Sequence, residues 1–269
     1  LFLLEKFLKE EQTMSSLDTN NPFKNTVSEK QFNGYWIPNH NAKVIKAAIE
    51  NGTAPFLPDQ SGNLSAKPIY NANTGFCLNA KELIPLQIMR GEKSDIVMTY
   101  STINKAGTNV REGEKGLFYN FRRDDGSIGC AQFFFPEQTE NPEAVKKQAK
   151  INSVHKLNRT VEITSSEPEE YLATYVAACK SGANVKVSPE VAKNFVEKFT
   201  TLLDNQLAKG AERDKEMDTL GEFMFKVDVR ANKNNKEMFA ELKKEQRKSQ
   251  TQTKEKDDFL RPIAMEMSH

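Results

Sequence analysis

Catalysis at neutral pH needs titratable or nucleophilic side chains at fixed spacings, and this chain offers few. Its three histidines, His40, His155 and His269, stand alone. Asn41-Ala42-Lys43-Val44 follows His40, and Lys156-Leu157-Asn158-Arg159 follows His155. Neither starts the His-Glu-x-x-His helix, in which two imidazoles one turn apart hold zinc and the glutamate acts as base. Cys77, Cys130 and Cys179 are odd in number, far apart and in no Cys-x-x-Cys pair. That argues against a zinc knuckle or a disulfide framework and for a reducing, cytoplasmic compartment. There is no Gly-x-x-x-x-Gly-Lys-Ser/Thr loop for nucleotide phosphates and no Gly-x-Ser-x-Gly elbow for a serine nucleophile. No pair of acids stands out from solvated charge. No catalytic residue, metal or cofactor is therefore expected, and the chain does not read as an enzyme.

The chemistry that the residues do favour is binding. Between residues 39 and 136, loops dense in Asn, Thr and Gly carry Phe56, Tyr70, Phe76 and Tyr100. Asn71 and Thr74 stand among them, and Lys67, Lys105, Arg111, Lys115, Arg122 and Arg123 supply cations. Aromatic faces set between polar loops stack on unpaired bases, while Lys and Arg track the phosphates. For any one aromatic the commoner role is core packing. The Val110–Gly116 stretch read alone is equally a solvated turn before a strand. Net charge is +1 for all 269 residues and +2 for residues 39–136, so a nucleic-acid surface would have to be a local patch.

Periodicity predicts the scaffold that carries these residues. Val44, Ile45, Ala48 and Ile49 predict a helix over Asn41–Glu50 that Asn51-Gly52 stops. Pro55, Pro58, Gly62 and Pro68 make a loop. A second helix is predicted over Leu78–Met89, bent or ended by Pro85 and closed by Gly91. A short strand begins at Ile96 and gives way to a short helix ending near Ala106. Leu117–Phe121 and Ile128–Phe135 alternate around Asp125-Gly126, which predicts a β-hairpin. Helices then start at Asn141-Pro142-Glu143, run over Glu169–Lys180, and run from Ser188-Pro189-Glu190 to a stop at Gly210. Weaker helical patterns cover Leu220–Phe225 and Met238–Leu242. The fold class expected is α+β: a small sheet-containing domain with a β-hairpin and flanking helices, then a mainly helical region.

The composition divides the chain into four segments. Residues 1–38 are a leader and an irregular lead-in, with Phe32, Tyr35 and Trp36 expected to dock on the adjoining domain. Residues 39–136 are the binding domain, 137–242 a helical region, and 243–269 a charged tail that is either a solvated helix or disordered. Residues 1–13 lack a signal-peptide cleavage site, and Lys9-Glu10-Glu11 can be encoded by a ribosome-binding sequence. Translation is therefore expected to start at Met14. No apolar run has the length of a membrane span.

The order of the pieces resembles the N-terminal domain of ArdC-type antirestriction proteins and related plasmid primase-associated proteins. Gly52-Thr53-Ala54-Pro55-Phe56 stands where that family has a Gly-Thr-x-Pro-Trp turn. Tyr70-Asn71 and Thr74-Gly75 match a Tyr-Asn-x-x-Thr-Gly segment, and Thr99 keeps the threonine of a Trp-x-Thr strand. Gly107, Val110, Arg111, Gly113, Glu114, Lys115 and Gly116 keep the last piece in full. A helix start of the form Tyr-x-Gly-x-Asn is replaced here by Leu78, Ala80 and Glu82. The resemblance covers a little over a third of the chain. It implies sequence-independent binding of single-stranded DNA in a plasmid, phage or other mobile element, for antirestriction or protection of entering DNA. Family members often carry a zinc metallopeptidase domain as well, and these residues hold no signature of one. The alternative is a protein-interaction factor that binds a host or conjugation protein through the helical C-terminal half. No membrane partner is expected.

Overall fold

The computed structural model describes residues 36–122, 128–150, 157, 159–211 and 219–266. The proposed leader, Phe32, Tyr35 and the Asp125-Gly126 turn lie outside them. Helix α1 (Trp36–Glu50) begins earlier than its periodicity indicated and buries Ala42, Ile45 and Ala48 at helical spacing. A loop comes next, with two short strands, β1 (Asn63–Leu64) and β2 (Tyr70–Asn71). Helix α2 (Ala80–Arg90) continues through Pro85 and does not end there. Proline removes one intrahelical hydrogen bond. Here Leu83, Ile84 and Leu86 are wholly buried on either side of it, and their packing holds the helix together. Strand β3 (Ile96–Thr99) runs directly into α3 (Tyr100–Lys105).

The predicted hairpin is present. Strands β4 (Leu117–Arg122) and β5 (Ile128–Phe134) pair antiparallel from Leu117↔Phe133 to Arg122↔Ile128. They belong to a sheet of order β2-β3-β5-β4, in which only β2 and β3 are parallel. After α4 (Pro142–Gln148), whose N-terminal Ala144 N–H is capped by the Asn141 side chain, comes a unit that periodicity did not disclose. Strands β6 (Thr160–Ile163) and β7 (Asn184–Val187) flank helix α5 (Pro168–Ser181) and pair in parallel. Strand β1, some 120 residues upstream of β7, adds to it antiparallel, giving the order β1-β7-β6. Gly62 fixes this junction: its carbonyl accepts from Val187 N–H at 2.9 Å, and a Cβ there would stand 2.9 Å from the Val187 carbonyl oxygen.

Helix α6 (Pro189–Ala211) runs through Gly210, where the sequence placed its stop. The two weak helical patterns after it belong to one helix, α7 (Thr219–Glu266), which continues through residues 243–261. Leu220, Met224, Val227, Ala231 and Met238 form its buried stripe. The described residues thus form an α+β fold with two small open sheets, leading into a mostly helical C-terminal part.

The main core crosses from the first half of the chain to the second. Phe56 is fully buried and meets the rings of Tyr175, Phe195 and Phe199 edge-on, at centroid distances of 6.3, 5.9 and 6.0 Å. Tyr171 Oη donates to the Phe56 carbonyl at 2.8 Å, and Tyr175 Oη sits 3.0 Å from Gln87 Oε1. A smaller core of Ala72, Met98, Ile103, Phe134 and Val145 joins β2, β3 and β5 to α3 and α4.

Polar groups complete the joint between α2 and the C-terminal helices. Asp228 on α7 caps α2 by accepting from Ala80 N–H at 2.8 Å. Lys180 Nζ lies 3.4 Å from both Asp228 Oδ1 and Asn79 Oδ1 and 3.1 Å from Asn232 Oδ1. Glu82 is buried on the same turn, 3.3 Å from Lys81 Nζ. Burial, reinforced by the Asp228 charge and opposed by Lys81, pushes its carboxyl up to about 7. Burial raises Asp228 as well. A carboxyl whose pKa is higher folded than unfolded favours the folded state when protonated. Stability from Glu82 should therefore rise as pH falls from about 7 toward 4.5 and be absent above that window, with an upper bound on the order of 3 kcal/mol. Urea melts at pH 5.5 and 8.0 should show this difference, and Glu82→Gln should flatten it. An unchanged pH profile in the variant would remove Glu82 as its source.

Candidate nucleic-acid interface

Parallel strands β2 and β3 end on the same side of their sheet, so the segments that leave them are neighbours. After β2 the chain makes a tight turn. The Asn71 carbonyl accepts from Gly75 N–H at 2.8 Å and Thr74 N–H at 3.2 Å, and the Asn71 side chain accepts from Asn73 N–H at 3.0 Å. Asn71 N–H closes the loop by donating to the Phe76 carbonyl at 3.0 Å. Asparagine favours such turns because its side chain bonds its own backbone two residues on. The closure leaves Phe76 68% exposed.

Asn73 Nδ2 donates to Thr102 Oγ1 on α3 at 2.8 Å. Thr99 Oγ1 lies 3.0 Å from Thr102 Oγ1 and 3.1 Å from Ser101 Oγ. Tyr100 is half-buried against the smaller core, and Lys105 is exposed at the end of α3. The Lys150 backbone N–H donates to the Ala72 carbonyl at 2.8 Å, which brings the end of the α4 segment to the turn. One exposed ring, a row of amides and hydroxyls, and nearby lysines are thus gathered at one place. Such a set can stack on a base, hydrogen-bond its edges and neutralise phosphate.

The structure does not bring all the expected residues here. Phe56 and Tyr70 cannot be stacking faces as placed. Phe56 is wholly buried under α5 and α6, and Tyr70 is 7% exposed, its phenol pushed up to about 12 chiefly by burial. Each aromatic has the surroundings of a core residue: Phe56 fills a gap between three rings, and Tyr70 points inward on β2 while Asn71 is half-exposed. Lys67 is exposed on the loop before β2, with its carbonyl taken by Gln87 Nε2. The side chains of Arg122 and Arg123 lie outside the described residues.

Arg111 and Lys115 are exposed, and their loop has an internal structural role. Arg111 pairs with Glu114 at 2.9 Å and bonds the Glu137 carbonyl, while Arg111 N–H donates to the Gln138 carbonyl at 2.9 Å. Gln138 is buried: its Nε2 donates to Glu114 Oε2 at 3.1 Å and to the Lys115 carbonyl at 2.8 Å, and its Oε1 accepts from Phe135 N–H at 2.9 Å. Gly116 completes the clasp, since a Cβ there would stand 2.6 Å from the Phe133 carbonyl oxygen and 2.8 Å from the Phe134 ring. The Val110–Gly116 motif therefore reads first as a loop folded around Gln138.

Leu78, Ala80 and Glu82, where the sequence departs from the family pattern, are all buried at the α2 start beneath the Asp228 and Lys180 contacts. Asn73, Ser101, Thr102, Lys147 and Lys150 were not singled out by sequence reasoning. The Asn-x-Asn-Thr-Gly turn and the Lys-Lys-Gln-Ala-Lys run were the signals available for them. Among the described residues there is no group of three or more His, Cys, Asp or Glu arranged to hold a metal ion, and no helix long and apolar enough to cross a membrane.

Residues 39–161 match the family model of the N-terminal domain of anti-restriction factor ArdC. No curated protein matches the chain. Two solved structures of the antirestriction ArdC protein from plasmid R388 are similar at 11% identity. The metal-free form covers 73% of this chain and 98% of its own at a TM-score of 0.40. The Mn(II)-bound form covers 72% and 98% at 0.42. The Tyr-Asn-x-x-Thr-Gly turn and the Val110–Gly116 loop both lie inside the segment, residues 39–161, that matches the model of the ArdC N-terminal domain.

Proposed function

We propose that the chain binds single-stranded DNA, with little sequence preference, in the service of a plasmid, phage or other mobile element, as an antirestriction or DNA-protecting factor. The observation that carries this reading is the exposed Phe76 on its asparagine turn, inside the segment that matches the ArdC N-terminal domain. A ring held clear of the surface offers a face to any base, whereas paired bases in a duplex are already stacked. The three cysteines are free thiols, which suits the cytoplasm where such DNA arrives.

The test is a titration with mixed-sequence oligonucleotides. Single strands should bind more tightly than duplex, and affinity should fall as salt rises. Phe76→Ala should leave the fold intact and cost about 1–3 kcal/mol of affinity. A folded parent that binds neither form of DNA would overturn the reading.

A second reading, a protein partner taken up by the helical half, is favoured by Phe225 and Val229. They are 69% and 56% exposed and one turn apart on α7. It predicts a stoichiometric partner retained without DNA and lost in Phe225→Ser.

A further inference from the structure

We infer that Lys147 and Lys150, with Lys105, form the phosphate-binding edge of the Phe76 turn, and that the DNA backbone runs from the end of α3 across the turn to the end of α4. This deepens the single-stranded-DNA reading and rests on it. Three observations carry it. The first is placement. Val145 on α4 is fully buried in the small core with Ala72 and Ile103, and Ala149 packs against that core. Lys150 N–H is bonded to the Ala72 carbonyl, so its Cα is held beside the turn. Lys105 closes α3, whose Thr102 bonds Asn73 of the same turn.

The second is pairing. On α4, Lys146 is engaged by Glu137 at 3.4 Å and Glu143 at 3.3 Å, both toward the start of that helix. Lys105, Lys147 and Lys150 are exposed, and among the described residues no carboxylate lies within ion-pair distance of them. Lys147 is two residues from Val145, a helical step of about 200°, so it stands on the face away from the core. The third is charge distribution. Residues 39–161 hold 16 Lys and Arg against 12 Asp and Glu, a net +4, whereas the rest of the chain is −3. The extra charge relative to residues 39–136 comes from the stretch that contains α4. An exposed ring without nearby cations would hold a base weakly, because stacking alone leaves the phosphates uncompensated.

The experiment measures binding of a mixed-sequence single strand to the full chain at several salt concentrations. The variants are Lys147→Gln/Lys150→Gln and a control of equal charge change, Lys193→Gln/Lys236→Gln, at exposed positions on α6 and α7. Two phosphate contacts to a single strand contribute about 1.4 to the slope of log K against log salt. The first pair should flatten the slope by about that amount and weaken binding about 25-fold at 0.1 M salt, while the control pair should change the slope little. Thermal melts should be unchanged for both. Equal effects of the two pairs, or no effect of the first while Phe76→Ala still weakens binding, would overturn the phosphate edge and leave the stacking site standing. A parent that binds no single strand would instead overturn the function on which the edge depends.

Discussion

A fragment ending at Val161, the limit of the family match, should not fold by itself. Cutting there removes Tyr175, Phe195 and Phe199, the three rings around Phe56, together with the Tyr171 hydroxyl that bonds its carbonyl. Strand β1 loses β7, its only sheet neighbour among the described residues. Helix α1 loses the Lys46–Asp204 ion pair and the hydrogen bond from Gln206 to Asn39, and α2 loses its Asp228 cap. Large apolar surface would face water with nothing to replace its partners, and a domain whose main core is opened in this way lacks the margin to stay folded. Circular dichroism of residues 36–161 should show an unfolded chain, and the full chain should melt in one cooperative transition. A fragment that unfolds cooperatively and binds DNA like its parent would show that the helical half is a separate body.

That dependence also explains which parts of the fold could be read from the sequence. The hairpin was legible because period-two apolar positions flank an Asp-Gly turn, a local signal, and its strands are where the pattern put them. Helices α5 and α6 were legible for the same reason, through capping residues and an apolar stripe. The sheet β1-β7-β6 was not. Asn63–Leu64 is too short to show any period, and Asn184–Val187 shows one only over four residues. Its pairing spans more than a hundred residues, and no local pattern encodes that. Helix α7 was seen as fragments because Asn232, Asn234 and Asn235 interrupt its apolar stripe. One of them, Asn232, serves the polar joint with Lys180.

The candidate site was half legible for a related reason. Residue type told that aromatics, asparagines and lysines are mixed in one region. It did not tell which aromatic faces out. Phe56, Tyr70 and Phe76 all sit among polar loop residues in the sequence, and only the three-dimensional neighbours separate them. Arg111 and Lys115 looked like free cations because Glu137 and Gln138, their loop's partners, lie more than twenty residues away.

Phe56→Ala and Phe76→Ala should accordingly produce opposite results. At Phe56 the substitution removes a ring with no exposed surface and leaves a cavity between Tyr175, Phe195 and Phe199. Truncating a buried phenylalanine costs about 3–5 kcal/mol. At this chain length each kcal/mol moves the melting temperature by about 2–4 °C, so a fall of roughly 10 °C is expected. No part of the Phe56 ring reaches solvent, so the protein that remains folded should bind single strands as the parent does. At Phe76 the ring is two-thirds exposed, so its loss should change stability by less than about 0.5 kcal/mol. Its effect should fall on affinity instead, by about 1–3 kcal/mol, which is roughly 5- to 150-fold. Melts and titrations on the same two preparations test both halves at once. If Phe56→Ala weakened binding while melting like the parent, Phe56 would be a contact residue after all and its burial here would not describe the DNA-bound state. If Phe76→Ala left binding unchanged, the asparagine turn would not be the platform, and the ring on it would have no role in holding a base.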